Sequence, residues 1–157
     1  MQGKYNPTTL LPALRLFIQA RIRAIASGFT DNGGAIHSVE RILDILCQRV
    51  RYPNLRHINN LKTDPDAECS VGAQKARQSG EKVLIEHVMP QREFAREVIK
   101  IVDNGATDDH ILAFIQRNYR LVLLTQDETT ALNRSNRSRM TSDRLTDAGI
   151  KIFRNLV

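Results

Sequence analysis

Apolar residues recur at helical spacing through the first third of the chain, and this periodicity most narrows what it can fold into. Leu10, Leu11, Leu14, Phe17, Ile18, Ile22 and Ile25 follow one another at steps of one to four residues, the pattern of an amphipathic helix. Pro7 stands where a first helical turn tolerates proline. Gly28 and the run Asp31-Asn32-Gly33-Gly34 mark its end. Ile36, Val39, Leu43, Leu46, Cys47 and Val50 then form the stripe of a second helix over 35–51. Two such helices joined by a short glycine-rich turn pack antiparallel. Cys47 shares that stripe and reads as a small buried apolar residue.

The period then changes. Residues 52–66 carry two prolines and little periodicity, a loop, and Asp64-Pro65 reads as the entry to a short helix ending at Gln78. Val83-Leu84-Ile85 opens a short apolar run that stops at Pro90, and Leu121-Val122-Leu123-Leu124 is a second. Both are too short for buried helices and read as strands. Between them, Phe94, Val98, Ile101 and Val102 mark one helix. Thr107, with Asp108 and Asp109 behind it, caps another that carries Ile111, Leu112 and Ile115. Thr125 caps a helix beginning at Gln126, and Ile150-Lys151-Ile152 reads as a last short strand. The expected fold is therefore α+β: a helix-rich single domain with an N-terminal helical pair and a small C-terminal β-containing subregion. The two subregions, 1–80 and 81–157, are expected to meet near residue 80.

A chain of 157 residues buries enough surface to fold without disulfides or structural metal. Two cysteines exclude an all-cysteine zinc site. No run approaches the roughly 18 apolar residues of a membrane span, and the arginines of the first helix do not suit a signal peptide. The expectation is a soluble cytoplasmic protein without a membrane partner. The 23 basic residues outnumber the 17 acidic ones, for a net charge of +6. Arginine, the better bidentate phosphate ligand, supplies 17 of the 23. That balance favours a polyanionic partner, DNA or RNA. There is no phosphate-cradling glycine loop, serine-centred elbow or paired-cysteine spacing. Without tryptophan and with eight aromatics in all, single-strand recognition by stacking has few platforms.

The first strand ends in Glu86-His87, three residues before Pro90, and the second leads through Thr125 into a helix bearing Asp127 and Glu128. This order resembles the strand–strand–helix metal finger of HNH-type (His-Me finger) nucleases. The resemblance implies phosphodiester hydrolysis with Mg²⁺ or Mn²⁺. In it His87 is the general base, Glu86 a catalytic residue and metal ligand, and Asp127 or Glu128 the ligand from the helix. A neutral imidazole accepts a proton from water near neutral pH, and carboxylates suit hard divalent ions. Arg134, Arg137, Arg139 and Arg144 follow directly, interleaved with serine and asparagine, a chemistry suited to phosphate contacts.

Each of these residues also has a local explanation. Thr125-Gln126-Asp127-Glu128 is a capping box, and Asp127 suits a first helical turn through the dipole alone. His87 reads equally as an interior histidine, and 134–144 as a solvated loop. Two other functions therefore stand beside the nuclease: a non-catalytic nucleic-acid-binding protein using arginine-rich surfaces, and a protein-binding module of inhibitor or immunity type.

Overall fold

The computed structural model describes residues 6–137 and 143–155. The chain is α+β and helix-rich. In order it forms α1 (Pro7–Ala26), α2 (His37–Arg51), α3 (Val71–Gln78), β1 (Leu84–His87), α4 (Gln91–Asp103), α5 (Asp108–Asn118), β2 (Leu121–Leu124), α6 (Gln126–Ser135) and α7 (Arg144–Asp147). A 3-10 turn over Ile58–Thr63 interrupts the expected loop. No helix among the described residues is long and apolar enough to cross a membrane.

Contacts divide the chain into two compact units, each made of two stretches of sequence. One comprises 1–53 and 91–119, the other 54–90 and 120–157. This differs from the expected division at residue 80, because α4 and α5 lie between β1 and β2 in sequence yet group with α1 and α2. The charge divides differently too. The first unit holds 11 basic and 8 acidic residues, the second 12 and 9, so each carries +3. A split of the linear chain at residue 80 gives +5 before it and +1 after it instead.

In the helical unit, α2 packs against α1, α4 and α5. Leu14, Ile18, Val39, Leu43, Leu46, Cys47, Val98, Ile111 and Ile115 are buried there, as their 3.6-residue period requires. Asn6 caps α1 and Thr107 caps α5 through their side-chain oxygens. The Tyr119 hydroxyl donates to Asp44 at 2.7 Å. Burial, with the Asp44 charge behind it, pushes that phenol far above its ordinary pKa. Asp31 accepts from Arg21 at 2.9 Å and from Arg96 at 3.1 Å. The Arg21 bond in particular holds its carboxyl below the usual range, against the opposing effect of burial.

In the second unit β1 and β2 pair antiparallel, Leu84 opposite Leu124 and His87 opposite Leu121. The helix expected from residue 64 begins only at Val71. Cys69 bridges Leu123 in parallel, and Ser70 bridges Ile152, so 68–70 is an extended piece alongside β2. Ser70 then caps α3 by accepting from the Ala73 amide at 2.9 Å. The strand expected at 150–152 is reduced to that single bridge. Val122 and Leu124 of β2, Leu132 of α6, Leu145 of α7 and Ile150 form a buried cluster, so α6 and α7 cover one face of the sheet.

Candidate functional site

Residues directly opposite in an antiparallel pair project to the same face, and successive residues to opposite faces. Glu86 lies opposite Val122, whose side chain belongs to the cluster under α6 and α7. Glu86 therefore faces the covered side of the sheet, while His87, opposite Leu121, faces the other. The strand stays regular through His87, so these neighbours do not turn toward one point.

Glu86 is half-buried among polar groups. Burial raises its pKa, while His87, Arg144 and the nearby Thr129 hydroxyl act in the opposite direction. That hydroxyl is itself buried, in a residue 7% exposed, and lies beyond hydrogen-bonding geometry of any partner among the described residues. It is close enough to favour the Glu86 anion without making a formed bond.

Arg144 departs most from its expected role. It is 3% exposed and donates through Nε to the Asn136 carbonyl at 2.6 Å. Its Nη1 donates to the carbonyls of His87 at 2.9 Å and Val88 at 3.3 Å. Its guanidinium thus joins the end of β1 to the segment after α6 and is not presented to an external phosphate. Burial lowers its pKa and the Glu86 charge supports it.

The helix carboxylates sit elsewhere. Glu128 Oε1 accepts from the Thr125 amide at 3.0 Å, and the Glu128 amide donates to Thr125 Oγ1 at 3.2 Å, completing the capping box. The same Oε1 accepts from Ser70 Oγ at 2.6 Å, and a Cβ on Gly72 would come within 3.1 Å of it. Asp127 is exposed in the first turn of α6, next to the Leu124 end of β2 and so at the opposite end of the pairing from His87. Among the described residues, no three His, Cys, Asp or Glu side chains gather closely enough to hold a metal ion. Glu86, Asp127 and Glu128 do not fit one divalent ion in this arrangement.

Arg134, in the last turn of α6, and Arg137, just past it, are exposed and pair with no carboxylate among the described residues. Arg139 lies outside the described residues. The sequence did not signal Ser70, whose hydroxyl links α3 to α6. Its only trace is a serine three residues before Ala73, a weak cap pattern without the usual acidic partner.

The position of Glu86 gives a pH-dependent expectation. Because the folded-state pKa is raised, the group supports the fold while protonated. That support is lost as pH rises through the ordinary value of 4.5 and the raised folded value. Glu86→Gln is therefore expected to gain thermal stability relative to the parent between about pH 4 and about pH 8. Melting curves at the two pH values check it, and a difference independent of pH would contradict it.

Comparison with protein-family models, with curated proteins and with solved structures returns no match.

Proposed function

We propose that the protein binds nucleic acid through its phosphate backbone, without cleaving it. The observation that carries this reading is the exposed pair Arg134 and Arg137 at the end of α6. Both are free of intramolecular carboxylates among the described residues, as are the scattered, exposed Arg23, Arg41, Arg56, Arg117 and Arg154, but these two stand three residues apart on one short segment; Arg15, Arg21, Arg92, Arg96 and Arg120 are each paired with an acid. An arginine already neutralised releases few counterions on binding, while an unpaired exposed one contributes fully. Asn133 and Ser135, also exposed beside Arg134, add neutral donors of the kind that position a phosphate.

The test is fluorescence anisotropy with short duplex DNA and single-stranded RNA across about 50 to about 200 mM salt. Affinity is expected to fall steeply with salt. The double variant Arg134→Ala/Arg137→Ala should flatten the log–log slope by roughly 2. Absence of binding at the lowest salt, or an unchanged slope in the variant, would refute the reading.

A second reading, metal-dependent hydrolysis with His87 as base, is supported by the order β1, β2, α6, the strand–strand–helix sequence of an HNH-type finger. Incubating plasmid and RNA with Mg²⁺, Mn²⁺ or chelator, beside His87→Ala, separates the two. Cleavage lost in the variant would replace the binding-only reading.

A further inference from the structure

A groove of about 720 Å³ lies wholly within the second unit, a size within the roughly 300–1,000 Å³ of small-molecule sites. Its walls come from the end of the 3-10 turn, the later part of α3, the segment 80–83 and Asn155. Three cations line it, Lys62, Arg77 and Lys82, against one acidic side chain among the described residues, Glu81. Neither lysine pairs with a carboxylate among the described residues. Arg134 and Arg137 do not line this groove, so it is a separate feature from the end of α6.

Arg77 is held in place by neutral groups. Its Nη1 donates to the Asp64 carbonyl at 2.8 Å and its Nη2 to Gln74 Oε1 at 3.0 Å, with Cys69 Sγ at 3.7 Å from the same nitrogen. The guanidinium is thereby oriented while its charge stays uncompensated, and Nε and one Nη1 hydrogen remain as donors. Gln74 uses its oxygen on Arg77 and on the Cys69 thiol, which leaves its amide nitrogen as a further donor. The carbonyls that end α3 carry partial negative charge, but those of Lys75, Ala76 and Arg77 already accept from Ser79, Glu81 and Gly80 at 3.0, 2.8 and 3.1 Å. Gly80, at φ +72°, makes that turn possible and carries the chain on to Lys82 and the buried Val83 in the groove wall.

The lining is rich in donors and poor in acceptors, so it suits a ligand that brings acceptors and negative charge. A phosphate group brings both, and its oxygens match a guanidinium and ammonium groups as charge-assisted partners. Inorganic phosphate alone fills a small part of the groove. The side-chain amides of Gln78 and Asn155 and the apolar Pro65 and Val83 complete the walls, a mixture that suits a polar organic group esterified to the phosphate. We infer that this groove binds a phosphomonoester of about nucleotide size. The inference does not rest on the nucleic-acid reading, which uses other residues.

Isothermal titration calorimetry with adenosine monophosphate, adenosine and inorganic phosphate tests this. The monophosphate is expected to bind with a Kd on the order of 0.1 mM, inorganic phosphate more weakly, and adenosine without detectable heat. Lys62→Gln/Lys82→Gln should weaken the monophosphate by roughly 10-fold, whereas Glu81→Gln should tighten it by about 3-fold. Lys82 and Glu81 are exposed and Lys62 partly so, and an unchanged far-ultraviolet spectrum is expected in both variants. Arg134→Ala/Arg137→Ala should leave the monophosphate affinity as it is, which separates this site from the nucleic-acid contact. No binding of the monophosphate at several millimolar would overturn the inference, as would an affinity unchanged in the lysine variant or lost with Arg134 and Arg137. Equal affinity for inorganic phosphate or for adenosine would also overturn the assignment to a phosphomonoester.

Discussion

Arg144→Met is expected to destabilise the second unit by about 3–5 kcal/mol, the range seen when one partner of a buried polar network is removed. Methionine matches much of the side-chain volume, so the loss isolates the hydrogen bonds. The carbonyls of Asn136, His87 and Val88 all accept from this one guanidinium, and each loses its arginine donor in the variant. Arg144→Lys should recover little, because a single ammonium cannot reproduce a planar fork aimed at separate oxygens. Urea unfolding followed by far-ultraviolet circular dichroism reads the midpoint, with an unchanged slope expected. If Arg144 served instead as a phosphate ligand, the variant would bind nucleic acid less tightly and unfold at the parental midpoint.

Glu128→Ala is expected to cost about 2–3 kcal/mol. It removes the reciprocal half of the α6 capping box, worth about 1 kcal/mol, and the charged acceptor of the Ser70 hydroxyl, worth about 1.5 kcal/mol or more. Glu128→Gln keeps an oxygen in the same place and is accepted at that capping position, so it should lose less than half as much. The ordering of alanine below glutamine below parent, measured in chelator, marks a structural carboxylate. A metal ligand would instead show parental stability in chelator, with both variants losing the stabilisation that added Mg²⁺ or Mn²⁺ gives the parent.

Much of the fold was readable because the helices bury one face. The stripes of α2, α4 and α5 are visible as periodicities, and Thr107 and Thr125 cap where their position before an acidic first turn predicted. The piece at 68–70 was not readable, since a few residues carry no period and its extended form depends on pairing with Leu123, far along the chain. The composition of 134–144 suggests solvent, yet Arg144 is buried by carbonyls that only the tertiary structure delivers. The Glu86-His87 step held more information than its residue types suggest. Strand alternation alone sets the two side chains on opposite faces, but which face α6 covers depends on the cluster around Val122.

The division of the chain bears on how it reaches the native state. His87 meets Leu121 only after roughly 30 residues have left one unit, formed α4 and α5, and returned. Pairing between α4 and α5 is local, so it is expected to form before the longer-range β1–β2 pairing. Pairing of α4 with α5 would shorten the effective loop that the β1–β2 pairing closes. Substitutions that loosen the α4–α5 contact should slow the appearance of the β1–β2 ladder even though they touch neither strand.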